Sequence, residues 1–166
     1  SGDLDRVAIT SIPCGSEYTI EAWFLYPQPN SVGGNTLIRG ASFDHQVYVQ
    51  PSDKQLGVFD NQTGTLFRGS GFFMTSLSNG WHHLVASASG TSTRFYIDSG
   101  LVGTSPFKSS AQMSYIGNYQ ATGQQQFGTV DEVRIYNRAL SAAEITARYN
   151  NNNPKVKGDL ADVRFT

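Results

Sequence analysis

Cleaving a glycosidic bond takes two carboxylates, about 5 Å apart for retention of configuration and wider apart for inversion. On a β-strand that pair would show as two acids separated by one residue, because alternate side chains share a face. Asp131 and Glu132 are adjacent and so point to opposite faces, and Glu21 is alone in its segment. Asp44-His45 is an acid–base dipeptide in a loop-like stretch, but sequence neighbours rarely form a dyad. No Gly-x-Ser-x-Gly elbow marks a serine nucleophile. These residues predict a domain without hydrolytic chemistry.

Binding chemistry is better supplied. A neutral sugar asks for directional hydrogen bonds and a flat apolar face, which amides and aromatic rings provide. Three loop-like groups offer them: Asp44, His45 and Tyr48; Asn61 and Gln62; and Asn118, Tyr119, Gln124, Gln125 and Gln126. Trp23 and Trp81 sit in the middle of strand-like runs, so both are expected in the core rather than as sugar platforms. Asp131 shares strand parity with Val133 and Ile135. It is therefore expected to face inward or lie at the rim, where a carboxylate needs partners. Cys14 is the single cysteine, so it has no partner for an internal disulfide, and no Cys/His spacing suggests zinc.

The elements that must hold these residues read as strands. The chain has 166 residues, enough for one domain with a real core. Charged residues make up only 15% and there are 17 glycines, a mix that suits short strands and polar turns. Net charge is −1, with Lys108, Lys155 and Lys157 scattered, so no nucleic-acid footprint is expected. No apolar run reaches membrane-spanning length, so no membrane insertion is expected. The opening Ser1-Gly2-Asp3 reads as a mature or trimmed start.

In Glu17–Tyr26, Tyr18, Ile20, Ala22 and Phe24 alternate onto one face. Further strands are predicted over 36–39, 46–50, 55–60, 65–68, 81–89, 93–98, 101–104, 113–117 and 128–136, with 81–98 as a hairpin. The expected core is Ile20, Trp23, Phe24, Trp81, Leu84, Phe95, Ile97, Ile116, Val133 and Ile135. One helix is predicted over Ser141–Tyr149, opened by the capping box Ser141-Ala142-Ala143-Glu144. The expected organisation is a domain over 1–149, a polar linker over 150–158 and a final strand over 159–166, with Leu160, Val163 and Phe165 as its apolar residues.

Five motifs in order carry a resemblance: Tyr18-Thr19-Ile20-Glu21-Ala22-Trp23-Phe24, Gly80-Trp81-His82-His83-Leu84-Val85, Phe95-Tyr96-Ile97-Asp98-Ser99-Gly100, Ile116-Gly117, and the run from Gly128 to Ser141. Together, over about Asp3 to Tyr149, they resemble the laminin-G-like, concanavalin A-like jelly-roll domains of bacterial and phage surface proteins. That resemblance implies an all-β, antiparallel two-sheet jelly-roll sandwich with one short helix near the C-terminus. It implies extracellular or surface recognition, often of glycans and often with calcium. His82-His83 falls in the family's structural Trp-His-His motif, and the Glu-x-Asp-x-x-Glu run of laminarinase-like relatives is absent. In similar domains the acid at the place of Asp131 binds calcium with carbonyls of the opening strand, with Asp5 and Asp3 as companions. The alternative, in which Asp131 only accepts backbone amides, stays open.

The family's opening strand is only half present at Asp3–Val7, and the tail Val163-Arg164-Phe165-Thr166 resembles the missing half. The tail is thus expected to complete its own sandwich or a neighbour's. Two functions follow as expectations: an assembly subunit of a cell-surface or virion particle, or a glycan-binding module.

Overall fold

The computed structural model describes residues 6–40, 44–64, 66–117 and 125–151. Eleven strands alternate along these residues: β1 (Arg6–Ile12), β2 (Glu17–Tyr26), β3 (Asn35–Arg39), β4 (His45–Val49), β5 (Gln55–Asp60), β6 (Leu66–Phe73), β7 (Gly80–Ser89), β8 (Ser92–Ile97), β9 (Gly100–Ser105), β10 (Met113–Gly117) and β11 (Val130–Tyr136). A helix, α1 (Ala142–Asn151), follows them. One sheet has the order β1-β10-β3-β4-β5-β6 and the other β11-β2-β7-β8-β9. The paired strands run antiparallel. The two sheets enclose the core of the expected jelly-roll sandwich.

β2 lies inside the second sheet, between β11 and β7, and is buried on both faces. Tyr18, Ile20, Ala22 and Phe24 enter the main core with Leu84, Ala86 and Phe95. Thr19, Glu21 and Trp23 point the other way and are equally buried. The cause is α1, which with the 137–141 segment covers that outer face. A second apolar cluster of Val85, Tyr96, Leu140 and Ile145 joins sheet and helix. The helix starts as its sequence requires. The Ser141 amide donates to Glu144 Oε2 at 2.9 Å, and the Glu144 amide donates to Ser141 Oγ at 3.3 Å.

The core differs from expectation at Trp81. It is half-buried and belongs to neither apolar cluster. Its register partner is Leu25, near the end of the β2–β7 ladder. It therefore lies on the helix side of the sheet, one pleat beyond the part that α1 covers. Ile116, Val133 and Ile135 line the core's margin rather than its centre.

Asp131 is a second correction. It is exposed, not inward-facing. Register shifts in β11 between Asp131, opposite Trp23, and Arg134, opposite Glu21. Three residues thus span what two span on β2, a β-bulge, and Glu132 adopts φ +53° within it. The extra residue reverses parity: Val130 pairs with Phe24 and points inward, so Asp131 points outward.

β1 already occupies one edge of the six-stranded sheet, with Val7 opposite Ile116 of β10. The proposed final strand over 159–166, with Leu160, Val163 and Phe165, lies outside the described residues.

Candidate functional site

β2 ends where Tyr26 meets Gly80 in the ladder. Pro27 and Pro29 follow. Neither has an amide hydrogen to offer a neighbouring strand, so the ladder stops and the segment turns across the end of the sandwich. The Tyr26–Pro27 peptide is cis. Asn35, the first residue of β3, fastens the returning loop: its Nδ2 donates to Pro29 O at 2.9 Å and to Gln126 O at 2.6 Å. Gln28 Nε2 donates to Phe127 O at 3.2 Å. Gly128 makes the close approach possible, because it has φ +101° and a Cβ there would sit 2.8 Å from Pro29 Cδ.

Two clefts flank this loop and share Pro27. One, of about 150 Å³, is lined by Tyr26, Gln28, Asn30, Asn35, Lys54 and Met74 among others. The other, of about 580 Å³, lies between Leu25, Pro27 and Pro29 on one side and Gln126, Gly128 and Thr129 on the other. Neither lining holds a carboxylate, imidazole or thiol. Both Asn35 amide hydrogens are committed to carbonyls, which fixes the orientation of the amide. Its buried Oδ1 then has no hydrogen-bond partner among the described residues.

The residues singled out from sequence are placed differently. Asp44 is buried, with Oδ1 accepting from the Asn61 amide at 2.9 Å and Oδ2 from Gln62 Nε2 at 3.1 Å. The structure thus joins Asp44, Asn61 and Gln62, but their polar groups hold one another. His45, read as a loop residue, joins Tyr48 in β4, where the strand over 46–50 was expected, and both are buried rather than available at the surface. His45 Nδ1 shares a 2.8 Å hydrogen bond with Thr36 Oγ1, and burial, reinforced by the Arg39 charge, pushes its pKa down to about 3. It is neutral at ordinary pH. Tyr48 donates to Gly33 O at 2.7 Å. A Cβ on Gly34, at φ +82°, would collide with the Tyr48 ring, so the 31–34 turn sits directly on it. Gln125 Nε2 reaches the same Gly33 carbonyl at 3.0 Å. Tyr119 and Gln124 lie outside the described residues.

A larger polar assembly was not visible in sequence. Glu21 accepts from His83 Nε2 at 3.0 Å, from the Tyr136 hydroxyl at 2.8 Å and from Arg148 Nε at 2.5 Å. Burial alone would raise its pKa, but these donors hold it down to about 2. Tyr136 is pushed up to about 12 by burial and by donating to that carboxylate. This assembly ties β2, β7, β11 and α1 together.

The profile of the concanavalin A-like lectin/glucanases superfamily, of laminin-G type, matches residues 2–146. The chain belongs to that superfamily. Solved structures agree on the fold. A heptameric SAP-like pentraxin from Limulus polyphemus superposes with TM-score 0.61 at 17% identity, covering 90% of this chain and 76% of that one. Domain 4 of AbnA, a GH43 extracellular arabinanase from Geobacillus stearothermophilus solved with arabinotriose, gives TM-score 0.61 at 18% identity, covering 86% and 70%. No curated protein is a significant match.

Superfamily members need an oxygen-rich shell to hold calcium, six to eight ligands in all. Asp131 Oδ1 already accepts the Glu132 amide at 2.7 Å. Among the described residues no three His, Cys, Asp or Glu side chains are grouped to hold a metal ion. The described donors alone do not make a calcium shell, and Asp3 and Asp5 lie outside them.

Proposed function

We propose that this domain is a non-catalytic, extracellular carbohydrate-recognition module that takes a neutral sugar at the Tyr26–Asn30 loop. The observation that carries this reading is the chemistry of the loop's clefts. Gln28, Asn30 and Asn35 offer amides beside the Tyr26 ring and the Met74 side chain, with the unpartnered Asn35 Oδ1 below. Amides and an apolar face bind sugar hydroxyls and sugar rings, and a lining without carboxylates lacks the carboxylate pair of ordinary glycoside cleavage. The similarly folded arabinanase domain bound to arabinotriose supports the ligand class. Among the described residues no helix is long and apolar enough to cross a membrane.

The test is a glycan array followed by calorimetric titration of any hit. Asn30→Ala should weaken binding about tenfold, the equivalent of about one good hydrogen bond, without shifting the melting temperature, and Gln28→Ala should weaken it as much while also losing the bond to Phe127 O. An empty array, or affinity untouched by both changes, sinks the reading. Release of reducing ends from a polysaccharide panel would show catalysis instead.

One observation favours a second reading, assembly through residues 159–166. β1 and β11 each leave one edge unpaired in the described sheets. Between them runs an apolar cleft of about 230 Å³ that includes Val7, Ile116, Phe127 and Val130. Val7 there is 59% exposed. An added strand would find both hydrogen bonds and apolar contact at that seam.

A further inference from the structure

Three arginines gather where α1 meets the outer face of β11, in a cavity that shares no residue with the Tyr26–Asn30 clefts. The cavity is about 510 Å³, with Arg134, Arg138 and Arg148 in its wall beside Tyr136, Leu140 and Ala147. We propose that this cavity binds the carboxylate of an acidic saccharide such as a uronic acid. The proposal stands independently of the neutral-sugar reading, since the two sites share no residue.

Three features support it. First, the guanidiniums are held unequally. Arg148 commits Nε to the buried Glu21, and no hydrogen bond within the described residues takes its terminal nitrogens. Arg134 gives Nη2 to Glu132, and its buried Nη1 lies 3.7 Å from Glu21 Oε1. Second, the acids that hold the other groups are at least partly exposed and so replaceable. Arg138 meets Glu144 in a two-point contact between side chains 53% and 41% exposed, and Arg134 meets Glu132 between side chains 33% and 32% exposed. Ion pairs of that exposure contribute little to stability, so a competing oxyanion displaces them at small cost. Third, the geometry suits a carboxylate on a ring. Arginine forks bind planar oxyanions at two points, and Tyr136, Leu140 and Ala147 add apolar surface. The Arg148 guanidinium lies over the Tyr136 ring at 4.9 Å from its centroid, which braces it.

Glu21 is buried and already engaged by three donors, so it does not compete at the cavity mouth. Glu144 is the internal rival for the incoming anion, and this gives the decisive variant. Glu144→Gln keeps a capping-box side chain for α1 and frees Arg138.

The experiment is calorimetric titration of the full chain at low ionic strength with glucuronate, glucose, a sulfated monosaccharide and inorganic sulfate. Glucuronate is expected to bind and glucose not to register at this cavity, with amide NMR shifts confined to β11 and α1. Arg138→Gln should weaken binding about tenfold at unchanged melting temperature, roughly the loss of one charge-assisted contact. Arg138→Lys should weaken it less, and Glu144→Gln should strengthen it severalfold. A merely structural ion pair would move none of these affinities. The proposal is overturned if glucuronate gives neither heat nor shifts, or if Arg138→Gln and Glu144→Gln leave its affinity unchanged. Binding of inorganic sulfate with glucuronate excluded would also overturn it, leaving an inorganic-anion site.

Discussion

The rings of Trp23 and Tyr149 stack with their centroids 5.6 Å apart and their planes 19° from parallel. Trp23 comes from the middle of β2 and Tyr149 from the last turns of α1, so this contact clamps the helix to the sheet. His83 completes the group, its ring 5.1 Å from that of Trp23. Trp23→Ala is expected to cost about 3–5 kcal/mol, as for a fully buried large aromatic. Trp81→Ala should cost roughly half of that or less, because Trp81 is only half-buried. Urea melts of the two variants measure the difference. Equal costs would mean that the helix does not seal the Trp23 face.

Glu21 gives the fold a pH dependence with a definite sign. Its pKa falls from an ordinary 4.5 to about 2 in the folded chain. A depressed folded-state value means stability that is fully present above about pH 4.5 and lost as pH falls toward 2. The size is on the order of 3 kcal/mol, from about 1.4 kcal/mol per pKa unit. Glu21→Gln should be less stable than the native chain near neutrality, and the gap should close in acid. If the two proteins keep the same separation in melting temperature from about pH 6 to pH 2, the donors around Glu21 do not stabilise its charge.

How far the sequence could reach depended on whether a contact was local. The alternation of Tyr18, Ile20, Ala22 and Phe24 needs only the strand itself, and the pairing of Ser141 with Glu144 needs only one turn. The opposite face of β2 was illegible, because Glu21 is buried by Arg148, a residue 127 positions away. Tyr48 looked available for the same reason: the 31–34 turn that covers it, held by Gln125, belongs to another part of the chain, and His45 is closed in by Thr36 and Phe59 of the neighbouring strands. Asp131 failed differently, through a bulge that reversed the parity on which the inward reading rested. The Tyr26–Asn30 segment carries a signal of its own in the sequence, two prolines interleaved with amides directly after an aromatic strand.

Calcium beside Asp131 is a proposal from the family resemblance that Asp3 and Asp5 would have to complete. A ligand that binds only the folded chain adds RT ln(1 + [L]/Kd) to its stability. On that proposal, millimolar calcium raises the melting temperature and Asp131→Asn abolishes the rise. Superimposable curves in calcium and in chelator would remove the ion from this domain.

Removing residues 152–166 separates the two readings of function. The main core draws on residues between Ile12 and Ile135, and the second cluster ends at Ile145. The superfamily match ends at residue 146. On the carbohydrate-module reading, a chain ending at Asn151 is expected to melt within about 3 °C of the longer one and to sediment as the same species. A strand laid into the seam beside Val7 would behave otherwise. Burying Leu160, Val163 and Phe165 would contribute about 1.5–3 kcal/mol each. At about 2–4 °C per kcal/mol for a chain of this size, their loss would lower the transition by roughly 10 °C or more. A drop of that size with loss of an oligomer would establish strand exchange and assembly. The same drop in a protein that sediments as a monomer with and without the tail would mean that the strand closes on its own domain, and carbohydrate recognition would stand as the function of a self-contained sandwich.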